Sequence, residues 1–118
     1  VTDINVFVEI SHTYISDLLL FLDWGPYVAA NSIQMSSYKC SSENDIAVTF
    51  DDESSSTYSG KTCSGTPALT GDMQPQNALS GLDGKSTDQT WHLWAFDDYS
   101  WDTGTIDNWC LTLRYTTP

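Results

Sequence analysis

The sequence predicts an all-β chain, a β-sandwich or jelly roll of short antiparallel strands. Three observations carry this expectation. Apolar and polar residues alternate at period two in several short runs, the mark of half-buried strands. No stretch keeps helical apolar spacing over three turns. Clusters rich in Gly, Pro and Ser separate the runs. The chain has 118 residues and no internal repeat, so residues 1–118 are expected to form a single domain.

The clearest pattern lies in the last third. Trp91, Leu93 and Ala95 fall on one side of a predicted strand, and His92, Trp94 and Phe96 on the other. Further on, Trp109, Leu111, Leu113 and Tyr115 share a face opposite Cys110, Thr112 and Arg114. The loop between them crowds Asp97, Asp98 and Asp102 ahead of Gly104, a residue able to take a positive φ. Upstream, Val6, Val8 and Ile10 alternate with Phe7 and Glu9 as the first strand, and His12 opens a loop. Leu18 to Asp23 is apolar on both faces and is expected to be a central strand. Gly25-Pro26 turns the chain, and Val28 to Met35 reads as a weaker strand. A polar loop from Ser36 to Asn44 precedes a strand over Ile46, Val48 and Phe50. The acidic run Asp51-Asp52-Glu53 ends that strand. From Thr57 to Thr90 the chain is rich in Gly, Ser, Thr and Pro, so long connections with one or two short strands are expected. Leu79 to Leu82 reads as a turn.

Four basic residues stand against sixteen acidic ones, for a formal charge of −12. Nucleic acid is a poor partner for such a chain, because phosphate binding needs a basic patch. An anionic membrane surface is disfavoured for the same reason. No apolar run reaches the length of a membrane span, and no signal peptide is present at Val1. An excised domain or a mature fragment of a secreted protein is expected. Of three cysteines, Cys40 and Cys63 lie in polar connections, where a bridge is easily accommodated, and Cys110 lies in a strand. A Cys40–Cys63 disulfide with Cys110 unpaired is therefore expected.

Hydrolytic chemistry finds little support. The only histidines are His12 and His92, and there is no G-x-S-x-G elbow. The cysteines are too dispersed for a zinc site. Calcium fits the acidic loops better, since it takes six to eight oxygens from carboxylates, carbonyls and water. If the last strand pairs antiparallel with the first, Asp17, Asp97 and Asp102 converge at one end of the sandwich. Asp51, Asp52 and Glu53 then fall at the opposite end as a second candidate site. Asp107 is read as a turn cap.

Several segments, in order, resemble the P domain (Homo B domain) of proprotein convertases and of secreted bacterial subtilisin-like proteases and metalloproteases. His12-Thr-Tyr-Ile-Ser-Asp-Leu18 resembles the family's H-T-x-x-x-D-L, and Phe50-Asp-Asp-Glu-Ser54 its F-D-D-E-A loop. Leu79-Ser-Gly-Leu82 and Thr90-Trp-His-Leu93 resemble L-S-x-L and G-T-W-x-L. Asp97 with Asp102-Thr-Gly-Thr-Ile-Asp-Asn-Trp-Cys-Leu111 resembles D-x-x-x-G-D-T-G-T-L-x-x-W-x-L, the longest and most specific piece. Gln89 and Trp101 stand where the family has glycine, and Gly25-Pro26 inverts its proline-glycine pair. The resemblance covers almost the whole chain. It implies a jelly roll without catalytic residues, structural calcium, and a partner protease domain in the same polypeptide. The alternative is a binding module whose Trp24, Trp94 or Trp101 stacks on a polysaccharide or an extracellular protein.

Overall fold

The computed structural model describes residues 1–26, 28–99 and 103–117. Among them are seven strands: β1 (Asp3–His12), β2 (Leu18–Trp24), β3 (Ser32–Ser37), β4 (Ile46–Asp51), β5 (Leu69–Met73), β6 (Trp91–Asp97) and β7 (Gly104–Arg114). They form an all-β sandwich. One sheet has the order β5-β4-β1-β7 and the other β3-β2-β6. No α-helix occurs among the described residues; the connections carry three short 3-10 turns.

Period-two alternation builds the core. Ile4, Val6, Val8 and Ile10 point inward from β1, and Leu18, Leu20 and Leu22 from β2. Ile46, Val48 and Phe50 of β4 complete the layer with Met35, Leu69 and Met73. Each such side chain contributes about 1.5–3 kcal/mol on leaving water. β6 and β7 are edge strands, so Trp91, Leu93, Ala95, Trp109, Leu111 and Leu113 face this core yet stay only half-buried.

The first strand pairs antiparallel with the last, as expected, from Asp3↔Arg114 to His12↔Gly104. A bulge between Glu9 and Ile10 leaves Asp107 opposite no residue of β1. Four of the five ladders are antiparallel, but β4 and β5 run parallel, with Ile46↔Leu69 through Phe50↔Met73. The sandwich is thus not antiparallel throughout. A parallel neighbour needs a long return crossover, and the Ser/Gly-rich segment after Asp51 supplies it. That segment is fastened by the Cys40–Cys63 disulfide, with a Cα–Cα distance of 5.7 Å.

Other expectations need adjustment. The weak strand begins at Ser32 and not at Val28, because its partner β2 offers Asp23 as the last pairing residue. Residues 29–31 form a 3-10 turn instead. Leu79–Leu82, by contrast, is a 3-10 turn, as the expected turn there requires. His12 does not open a loop but ends β1, buried. β2 is central in its sheet, yet its outer row of Leu19 and Phe21 has no third layer over it and is only half-buried.

The disulfide separates its cysteines by 23 residues, and closing such a loop stabilises by about 3 kcal/mol in the chain-entropy model. Cys110 is unpaired and exposed. Cys63→Ser should lower Tm by roughly ten degrees, and Cys110→Ser should leave it within about two. Calorimetry on the two variants checks this; equal shifts would mean that the bridge does not tie down the crossover.

Candidate functional site

Three polar or aromatic clusters stand out, and each joins segments distant in sequence. At one end of the sandwich, His12 links the sheets. Its Nε2–H donates to Asp97 Oδ2 at 2.8 Å, and its Nδ1 accepts the Tyr14 N–H at 3.0 Å. Its own N–H donates to Asp45 Oδ1 at 2.9 Å. The other oxygen of Asp97 accepts the Tyr99 N–H at 3.1 Å. Hydrogen bonding from His12, reinforced by Tyr99, holds the Asp97 carboxyl below the usual range despite desolvation. Gly104 closes this knot through close approach: a Cβ there would lie 2.3 Å from the Ser11 carbonyl oxygen and 2.6 Å from the His12 ring. The expected positive φ is not what the glycine supplies; the positive-φ glycines are Gly25, Gly65, Gly71 and Gly84.

The backbones of Asp17 and Asp97 run side by side here. Leu18 pairs with Asp97, and the Asp17 carbonyl accepts the Asp98 N–H at 3.1 Å. Asp17 is buried. Asp102, the third expected ligand, and Trp101 lie outside the described residues. Asp107 is not a turn cap. It sits at the β7 bulge, where its carboxylate accepts the Ser11 and Thr105 hydroxyls, which hold its own titration low.

At the opposite end, the acidic run after β4 behaves residue by residue. Asp52 spends both oxygens on backbone, accepting the Leu79 and Ser80 N–H groups at 2.8 Å each. Asp51 Oδ1 accepts the Glu53 N–H at 2.9 Å. Glu53 is driven up to about 7, first by hydrogen bonding to Asp51, then by partial desolvation and the charge of Asp3. Asp3, Asp51 and Glu53 thus crowd three carboxyls at one corner. Among the described residues, the one trio with ligand atoms within 4.8 Å of one another is Cys40, Glu43 and Cys63. Its two sulfurs are joined in the disulfide and do not serve as thiolate ligands.

The third cluster is the outer face of β2 and β6, where Leu19, Phe21, Asp23, Trp94, Phe96 and Asp98 line a cleft of ≈ 460 Å³. Trp94 and Phe96 are 43% and 47% exposed. Their rings lie 5.9 Å apart at 14°, and His92 continues the row at 6.0 Å and 28°. Phe21 meets Phe96 edge-on at 5.7 Å. The Tyr38 hydroxyl donates to Asp98, which raises the phenol's own titration. Asp23 is 1% exposed, and its Oδ1 has no hydrogen-bond partner. Of the tryptophans expected to meet a ligand, Trp94 is available. Trp24 is not, since its indole N–H donates to the Ser86 carbonyl at 2.8 Å and Lys85 Nζ lies 5.0 Å over its ring.

Sequence reasoning passed over Asp23, Phe21, Phe96 and Asp98 as site residues. The signal was present: in Leu18 to Asp23 the residues facing away from the core are also apolar, yet a two-layer sandwich has nothing to put over them. Comparison with family models, curated proteins and solved structures finds no match.

Two carboxyls should tilt stability in opposite directions with pH. Glu53 titrates higher folded than its ordinary 4.5. Its contribution is complete below that value and is lost as the pH rises through about 7. Asp97 titrates below its ordinary 3.8. Its contribution is present above that value and is lost as the pH falls through the lowered one. Tm measured against pH should therefore decline from about pH 5 to pH 8 in the parent and flatten in Glu53→Gln. Asp97→Asn should instead flatten the acid limb. Curves that run parallel for all three proteins would remove both assignments.

Proposed function

We propose that the chain is a non-catalytic accessory domain of P-domain type, serving a protease domain of the same secreted polypeptide. The observation that carries this reading is how the family-like segments pair off in space. His12 of the H-T segment meets Asp97 and Gly104 of the D-T-G-T segment. Asp52 of the F-D-D-E segment caps Leu79 and Ser80 of the L-S-G-L segment. Residues that look like motifs thus serve one another, and both ring nitrogens of His12 are committed. No helix among the described residues is long and apolar enough to cross a membrane, and the disulfide suits an oxidising compartment. The half-buried seam along β6 and β7, with Ile106 43% exposed beside it, is the flank a protease domain would cover.

The test is to produce the contiguous encoded polypeptide with and without residues 1–118. Deletion should abolish the yield of active protease. Ile106→Lys should reduce it while leaving the isolated domain's Tm within about two degrees. The isolated chain should hydrolyse neither peptides nor glycosides. A polypeptide with no protease domain, or one fully active without these residues, would sink the reading.

Calcium belongs to the same proposal, with Asp51 and Glu53 beside Asp3 as the supported end. A divalent cation there would replace the proton that crowding draws onto Glu53. At the other end Asp97 already holds two N–H donors. Calcium at a hundredfold excess over Kd adds about 2.7 kcal/mol, hence roughly ten degrees of Tm. That gain should vanish in Glu53→Gln and persist in Asp102→Asn. Equal Tm with calcium and with chelator would leave the Asp51–Glu53 corner as a solvated turn.

A second reading, a binding module for an extracellular protein or polysaccharide, is favoured by the near-parallel row of His92, Trp94 and Phe96.

A further inference from the structure

We infer that the cleft on the outer face of β2 and β6 receives a cationic side chain, the guanidinium or ammonium group of an arginine or lysine on a protein partner. The inference rests on the second reading, in which this face binds a ligand, and not on the protease partnership.

The argument starts from Asp23. A carboxyl group that is 1% exposed and has an oxygen without a hydrogen-bond partner is costly to fold around. Its register explains its direction. Leu18, Leu20 and Leu22 enter the core, so Leu19, Phe21 and Asp23 face out, and Asp23 borders the cleft beside the aromatic rings. Among the described residues no basic side chain forms an ion pair with it, and the one ion pair found is His12–Asp97. Asp98 adds a second carboxyl at the rim. His92, the cross-strand neighbour of Asp23, is the one other titratable side chain that the β2–β6 register sets beside it.

The ligand that satisfies these walls must donate hydrogen bonds and carry positive charge. Apart from the Trp94 indole N–H, the polar side-chain groups lining the cleft are acceptors. A guanidinium brings five donors and no acceptor, and an ammonium three. A sugar hydroxyl brings an acceptor with every donor, and this cleft has little to offer it. The exposed faces of Trp94 and Phe96 add cation–π attraction within reach of the carboxyls. The chain's charge of −12 steers a basic partner toward the surface.

The experiment follows the Trp94 indole resonance while the intact chain is titrated with Ac-Gly-Arg-Gly-NH2, its citrulline counterpart and cellohexaose. The arginine peptide should shift the resonance saturably. Citrulline, equal in shape but uncharged, should bind roughly tenfold more weakly or worse. Asp23→Asn should weaken arginine binding by a similar factor without lowering Tm, since it removes a burden and no partner. Phe96→Ala should weaken binding with Asp23 intact. Equal affinity for arginine and citrulline, unchanged affinity in Asp23→Asn, or a lower Tm in that variant would each overturn the inference. Binding of cellohexaose in place of the arginine peptide would overturn the cation but keep the face as a binding surface. Binding of no probe would remove both, while the deletion experiment on the protease domain would still stand or fall by itself.

Discussion

The hydrogen bond between His12 and Asp97 fixes how the two sheets close. His12 ends β1, a central strand of the larger sheet, and Asp97 ends β6, an edge of the smaller one. Apolar burial sets the distance between the layers but has no direction. A buried imidazole with both nitrogens engaged does have direction. Around it the chain makes three dependent choices. Asp45 turns to meet the His12 N–H, Gly104 gives up a side chain so that β7 can pass the ring, and Tyr99 returns toward Asp97. Losing the imidazole would leave Asp97 and the Tyr14 N–H without their shared partner, a larger penalty than one surface bond. The Asp52 carboxylate does comparable work at the far end, where it holds the 3-10 turn at Leu79 against the end of β4.

Much of the fold was legible in the sequence because period-two alternation reports a face directly. The inward row Val6, Val8, Ile10 and the split of Trp91–Phe96 into core and solvent sides both follow from it. So does the side-by-side run of the Asp17 and Asp97 backbones, given an antiparallel pairing of first and last strands. What alternation does not report is partnership. β5 is short, with Gly and Asp in its middle, and its parallel union with β4 depends on a distant crossover. Asp107 looks like a turn residue, and only the slip in register opposite Glu9 and Ile10 makes it a bulge. Acidic residues were the least legible, because one residue type performs four tasks. Asp52 caps, Asp97 clamps, Glu53 collects a proton, and Asp23 waits in a cleft.

That division of labour bears on how a strongly acidic domain tolerates its own charge. Spread charge favours solubility at modest cost, since surface repulsion is screened over about 8 Å at physiological salt. Concentrated charge is different. Asp52, Asp97 and Asp107 are each answered by N–H or O–H donors, so their oxygens add order and little repulsion. Glu53 and Asp23 lack such donors, one at an exposed corner and the other nearly buried. The unanswered acids mark where the fold is incomplete on its own, and their surroundings differ. Glu53 stands among carboxyls in water, a setting for a hard, hydrated cation held by oxygens. Asp23 stands beneath aromatic rings, a setting for a soft organic cation whose stem is apolar.

The open faces follow the same logic. A three-stranded sheet with apolar residues on both sides is costly to leave uncovered, and β2 does so with Leu19 and Phe21. Phe96 shields Phe21 edge-on, so part of the covering layer comes from the neighbouring strand itself. That arrangement leaves Trp94 and Phe96 themselves half exposed. The seam between β6 and β7 differs in kind. Its residues belong to the core and are half-buried because both sheets end there. Covering the seam would complete the sandwich, whereas filling the cleft would satisfy one carboxyl group. The first is a task for a permanent neighbour whose contact adds to folding stability. The second suits a partner that arrives and leaves.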